Sequence, residues 1–263
     1  MTTRSGLVSF SLLFMLVSPT FAQWTGVPIR NIPLTKDGRP DLAAPAPRLP
    51  NGGPDLSGVW QGDTKYLQNV AADLKPGEMT MLPWAEALTN ERKTGIHAAE
   101  EPQANCLPPG IPRINSTPYP FKIVQTADEV LILYESYELT RQIFLDGRRV
   151  ISDTNPSWMG YSVGKWDKDT LVVDTVGFNG KTWLDATGHP TTDALHLTER
   201  YRRTDAGHLE IRITIDDPKA YVKPWTVTQV MQLLPGTEVL EFACDENNRD
   251  LPHLPGARTM KTQ

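Results

Sequence analysis

Over residues 155–217 the chain is a series of short alternating runs broken by turn residues, which leaves little length for a helix. Leu209, Ile211, Ile213 and Ile215 fall on one side of one run, with Glu210, Arg212, Thr214 and Asp216 on the other. A period of two marks a half-buried strand, because successive side chains point to opposite faces. The preceding run sets Leu195, Leu197, Glu199 and Tyr201 against His196, Thr198, Arg200 and Arg202. Asn179-Gly180 and Asp205-Ala206-Gly207 supply turns.

The same punctuation extends outward. Residues 56–60, 122–125, 129–138, 139–145, 161–166, 170–178, 194–204, 208–216, 226–234 and 238–245 read as strands in sequential order. Short turns between them predict a mainly β fold, an antiparallel up-and-down barrel or a strongly curved sheet, in one domain over 56–250, and the lipocalin or calycin type of barrel is what a resemblance at Gly58-Val59-Trp60 implies. Gly58-Val59-Trp60 is similar to the G-x-W that opens lipocalin-like barrels, where the Trp plugs the closed end and the Gly lets the chain pass close to it. One bracing helix is expected at about 80–94, with Pro83 in its first turn, Arg92 and Lys93 in its last, and Gly95 as its stop. Trp84, Ala87, Leu88 and Glu91 share one face of it, and Trp84 is the expected anchor. Residues 23–55 contain Pro28, Pro33, Pro40, Pro45, Pro47, Pro50 and Pro54, so they are expected to form an extended arm. Residues 251–263 read as a C-terminal tail.

Arg4, an apolar run over 7–17 and small residues ending at Ala22 make residues 1–22 read as a secretory signal peptide. The run is shorter than the roughly 20 residues a spanning helix needs. The expectation is an exported protein, periplasmic or extracellular, with no membrane insertion after cleavage. A net charge of −5 without a basic stripe disfavours nucleic acid as a partner. The two cysteines, Cys106 and Cys244, are expected to form a disulfide in an oxidising compartment. The competing reading is a catalytic or metal-binding thiol, and no CxxC pattern supports it.

Several longer motifs carry a family resemblance. They are CLPPGIPR at 106–113, PYPFKIVQT at 118–126, RQIFLDGR at 141–148, the run from Asn155 to Asn179, TWLDATGHP at 182–190, DALHLTERYRR at 193–203 and TIDDPKAYVKPWTV at 214–227. Together the chain resembles a large family of exported bacterial proteins common in acidobacteria. The resemblance implies export and a lipocalin-like β domain, and it assigns no chemistry to any residue.

Chemistry is therefore read from residue types. Glu199 stands on an otherwise apolar strand face, where desolvation would raise its pKa toward a value useful for proton transfer. Asp174 in Leu171-Val172-Val173-Asp174 poses the same question, and Asp174, Tyr161 and His196 could meet if their strands are neighbours. For each acid the alternative is a structural pair with an arginine, Arg141, Arg200 or Arg202 for Glu199 and Arg141 or Arg149 for Asp174. A metal shared by His189, His196 and Glu199 is disfavoured, because His196 and Glu199 point to opposite strand faces. No metal or other cofactor is expected. The leading expectation is cofactor-independent acid/base chemistry, of the lyase, isomerase or hydrolase kind, on a small apolar compound, aromatic or terpenoid. Glu199, His196, Asp174 and Tyr161 would be catalytic, and Arg141, Arg200, Trp158, Trp183, Phe178 and His189 would bind the substrate. The alternative is a non-catalytic lipocalin-like protein that binds a hydrophobic small molecule.

Overall fold

The computed structural model describes residues 27–29, 32–151 and 155–244. The expected signal peptide (1–22) and C-terminal tail (251–263) lie outside the described residues. Nine strands form one closed barrel in sequence order: β1 (Gly58–Gln61), β2 (Phe121–Gln125), β3 (Glu129–Tyr134), β4 (Thr140–Phe144), β5 (Tyr161–Asp167), β6 (Thr170–Val176), β7 (His196–Arg203), β8 (His208–Asp216) and β9 (Trp225–Leu233).

Nine strands cannot close a ring with every neighbour antiparallel, since alternating direction needs an even number. The odd pair is β4 with β5, which run parallel through Ile143↔Ser162 and Phe144↔Val163. Residues 145–160 carry the chain back to the starting end before β5, as a parallel connection requires. The sequential antiparallel order expected from the turns thus breaks once. Closure is antiparallel, with Trp60↔Leu233 and Gln61↔Gln232 joining β1 to β9.

Residues 238–244 form no strand. They run as a strap on the flank of β2 and β3. Lys122 Nζ meets Glu238 Oε2 at 2.5 Å, Leu240 N donates to Glu135 Oε2 at 2.8 Å, and Phe242 packs between Tyr119 and Tyr137. Cys244 then joins Cys106 in a disulfide.

Trp60 is fully buried at one end of the barrel, and its Nε1 donates to Leu56 O at 3.0 Å. The Arg203 guanidinium lies 4.9 Å from the Trp60 ring centroid. Gly58 has φ +150°, and a Cβ there would fall 2.6 Å from Leu233 Cδ1, so the chain passes Trp60 only as glycine. The arm packs over this end. Ala206 N and Gly207 N donate to Ala44 O and Leu42 O, each at 2.8 Å, and Arg48 makes a two-point ion pair with Asp169. At Gly207 a Cβ would meet Leu42 Cβ at 2.6 Å, which fixes how closely the arm crosses the β7–β8 turn.

The other end is covered by two helices, α1 (Lys65–Gln68) and α2 (Pro83–Lys93), and by the loops around 182–191 and 217–222. Pro83 opens α2 as expected, but its inner face is Ala85 and Thr89, both fully buried. Trp84 is 45% exposed and is held by its Nε1 donating to Lys219 O at 2.8 Å. A small residue wins the inner position because it lets the helix backbone approach the 217–222 loop, where Leu82 N donates to Ala220 O.

Candidate functional site

The strand pairing sets the barrel interior in rows across β6 to β9. Thr175, Leu197, Ile215 and Trp225 form one row; Val173, Glu199, Ile213 and Val227 the next; Leu171, Tyr201, Ile211 and Gln229 the third. All of these side chains are buried. Period-two alternation therefore delivers Glu199 into the interior.

Arg141 reaches Glu199 from β4. Its Nη1 donates to Glu199 Oε1 at 3.1 Å and to Tyr201 Oη at 2.9 Å. Its Nη2 donates to Thr175 Oγ1 at 2.9 Å and to Glu199 Oε2, and its Nε donates to Ser162 Oγ at 3.1 Å. A guanidinium has five N–H donors, and here each has an acceptor. Tyr201 Oη donates to Glu199 Oε1 at 2.8 Å. Burial alone would lower the Arg141 pKa, but the Glu199 carboxylate together with the Tyr201 and Tyr134 phenols outweighs this and holds it above its ordinary value. Burial also pushes the Tyr201 phenol well up. Of the alternatives the sequence left open for Glu199, the geometry is that of an arginine pair. A carboxylate that accepts three hydrogen bonds from fixed partners has little capacity left to take a proton from a guest.

The other nominated acid/base residues lie on the outer side of the wall. Asp174 Oδ1 accepts from Thr198 Oγ1 at 2.9 Å and lies 3.1 Å from His196 Nε2, and both side chains are well exposed. Tyr161 stacks on Phe144, and its Oη accepts from Arg148 Nη1 at 3.1 Å. Asp174 and His196 thus meet as the sequence allowed, and Glu199 stands on the opposite face from them. The nominated binding residues are also dispersed. Arg200 pairs with Asp167 outside, Phe178 is core, Trp158 is half-buried, and the Arg92 guanidinium lies 4.0 Å from the Trp183 ring centroid.

His189 belongs to a buried pair that sequence reading did not identify. Its Nδ1 lies 2.6 Å from Asp185 Oδ2, which also accepts from Val70 N at 2.8 Å. Asp185 Oδ1 accepts from Gly188 N and His189 N. One carboxylate therefore ties the 182–191 loop to the chain after α1. The available signal was the spacing of Asp185 and His189, four residues apart around a glycine.

A cleft of about 540 Å³ opens beside the Trp60 end, where the arm and the start of the strap flank β1 and β2. Ile32, Leu49, Val59, Val124 and Leu234 line it, with Lys122, Gln125, Asp55, Arg203 and Glu238 as its polar members. Two side chains fix the arm at its edge. Gln125 accepts from Leu56 N and donates to Pro54 O, each at 3.0 Å, and Arg203 Nη1 donates to Asp55 O at 2.9 Å and Ser57 O at 3.2 Å. None of the nominated site residues is among those lining this cleft. Its walls come from four separate stretches of chain, 27–59, 122–125, Arg203 and 233–238, so no local motif marks it.

Among the described residues no group of three or more His, Cys, Asp or Glu side chains gathers to hold a metal, and no helix is long and apolar enough to cross a membrane. No family model and no curated protein matches the chain. Among solved structures it is similar to a mutant of the fluorescent protein UnaG, at 14% identity over 70% of this chain and 97% of that one, with a TM-score of 0.29. A likeness at that level carries no weight for function, and the barrel assignment stands on the strand pairing itself.

Proposed function

We propose that this protein is an exported barrel that binds a small apolar molecule in the cleft between the arm and β1–β2. The observation that carries this is the cleft itself: about 540 Å³, with Ile32, Leu49, Val59, Val124 and Leu234 in its walls beside Asp55, Lys122, Gln125, Arg203 and Glu238. That size and lining match small-molecule sites in general, which run from roughly 300 to 1,000 Å³. The barrel interior offers less, since its rows are occupied by Leu, Ile, Val, Tyr and Trp side chains and by the closed Arg141–Glu199 network. Export is supported by the disulfide, which belongs to oxidising compartments.

Catalysis would require Glu199, His196, Asp174 and Tyr161 around one substrate, and they are divided between the two faces of one sheet. Binding is therefore the better reading. N-phenyl-1-naphthylamine, a neutral apolar fluorophore, is expected to brighten with the wild-type protein. Val124→Trp fills the cleft and should weaken that binding about ten-fold or more. Undiminished binding by a folded Val124→Trp protein would remove the cleft from consideration.

A further inference from the structure

Among the described residues the charged side chains that line the cleft are Lys122 and Arg203 against Asp55 and Glu238, so their charges cancel. Arg203 and Asp55 are the buried ones. Arg203 Nη1 donates to the carbonyls of Asp55 and Ser57 and its Nη2 to Ala206 O, its guanidinium lies 4.9 Å from the Trp60 ring centroid, and the Asp55 and Asp205 charges act on it. Asp55 Oδ1 accepts from Ser57 N at 2.9 Å. The Gln125 amide is likewise engaged, with Leu56 N and Pro54 O.

Lys122 and Glu238 are the accessible ones, with side chains 32% and 39% exposed. Lys122 stands on β2 directly opposite Val59 of β1 and two residues from Val124, within the apolar wall. A lone ammonium there would draw any acid into the cleft. Instead Glu238 Oε2 lies 2.5 Å from Lys122 Nζ. Glu238 belongs to the segment after β9. That segment is held at its start by Leu234 N donating to Val59 O at 2.8 Å, and at its far end by the Cys106–Cys244 bond. The strap thus delivers a carboxylate to the lysine of the wall.

Resting on the cleft reading above, we propose that the cleft selects neutral apolar ligands over ions of similar shape, and that the Lys122–Glu238 pair sets this specificity. An ionised guest leaves water and meets no unopposed charge in exchange. To gain a partner it must displace Glu238 from Lys122, or Lys122 from Glu238, and the displaced group is then left unpaired.

The test sets N-phenyl-1-naphthylamine against 8-anilino-1-naphthalenesulfonate, which share an anilinonaphthalene body and differ by one sulfonate. Both are titrated by fluorescence into the full protein, and the binding counted is that lost in Val124→Trp. The wild type should bind the neutral probe about ten-fold or more tighter than the anion. Glu238→Gln leaves Lys122 unopposed. It should tighten the anion about three-fold or more, less so as salt is added, and leave the neutral probe within about two-fold. Lys122→Met/Glu238→Met removes both charges and should reject the anion as the wild type does. Equal affinity of the wild type for both probes overturns the selection and leaves the cleft standing, whereas failure of the neutral probe itself overturns the cleft. An anion affinity unmoved by Glu238→Gln overturns the role of the pair. A gain that persists in the double variant belongs to a loosened strap and overturns it equally. Should Glu238→Gln fail to fold, Lys122→Met decides in its place: it leaves Glu238 unopposed and should weaken the anion, and a tighter anion there overturns the assignment.

Discussion

Replacing Glu199 with Gln tests whether the interior charge pair holds the barrel together. The substitution preserves shape and removes the only carboxylate that Arg141 touches among the described residues. One amide oxygen can still accept from Arg141 or Tyr201. The amide nitrogen, however, is a donor set against another donor, at Arg141 or at the Tyr201 hydroxyl. Breaking a buried pair in this way costs about 3–5 kcal/mol. For a domain of this size each kcal/mol lowers Tm by about 2–4 °C, so the expected drop is about 6–20 °C. Urea denaturation of the wild type, Glu199→Gln, Arg141→Met and the double variant Arg141→Met/Glu199→Met completes the measurement. The double variant should be markedly more stable than either single one, because it leaves no unpaired charge. A Glu199→Gln loss below about 1 kcal/mol, or a double variant as unstable as the sum of the singles, would refute the pairing argument.

Other outcomes follow from the same geometry. Burial raises the pKa of Tyr134, Tyr201 and Tyr221 above the ordinary 10.0, so their contribution is complete below pH 10 and is lost as pH rises beyond it, when the unfolded chain ionises first. Arg92 and Arg203, lowered to about 10, oppose this over part of the same range. The net fall should appear in urea midpoints measured between pH 8 and 11, with three of the seven tyrosines ionising only on unfolding. Cys106→Ser/Cys244→Ser should cost about 2–5 kcal/mol, checked by thermal unfolding beside the wild type with and without reductant. Reductant should shift the wild type and leave the variant unchanged. Asp185→Ala strips an acceptor from Val70 N, Gly188 N and the His189 imidazole, at about 1–3 kcal/mol for each donor that water does not reach. Hydrogen exchange should report that loss first at Val70 and Gly188.

Strands and faces were legible because alternation is a local property. The rows through Glu199 and Tyr201 follow from counting by two, and so does the separation of His196 from Glu199. The disulfide was legible because an isolated cysteine pair has few alternatives. The partner of Glu199 was not, since Arg141 is one of several arginines and only the β4–β5 crossover brings it round. Parity made one parallel pair necessary once nine strands close, yet turn chemistry does not number strands or say which segment leaves the sheet. The range 238–245 alternates like a strand, but its described residues, 238–244, form a strap, because their neighbours at that flank are the side chains of Lys122, Glu135, Tyr119 and Tyr137. The inner face of α2 was misjudged because hydrophobicity favours Trp84, whereas close approach to the 217–222 loop favours Ala85. The cleft escaped notice because it is assembled from the arm, β1–β2 and the segment after β9, and Arg203 resembles any other strand arginine until Trp60 covers it.

The parallel junction between β4 and β5 has a consequence for a nicked molecule. It rests on two residue pairs, fewer than the β2–β3 or β5–β6 junctions. A protease cut between Leu145 and Gly160 would therefore divide the chain into two pieces, β1–β4 and β5–β9, which still meet through the β1–β9 pairing and the Arg141–Glu199 pair. Cys106 lies in the first piece and Cys244 in the second. Under denaturing conditions the cut molecule would migrate as one species without reductant and as two with it. The bond that fastens the strap would thus also keep a cut barrel covalently whole.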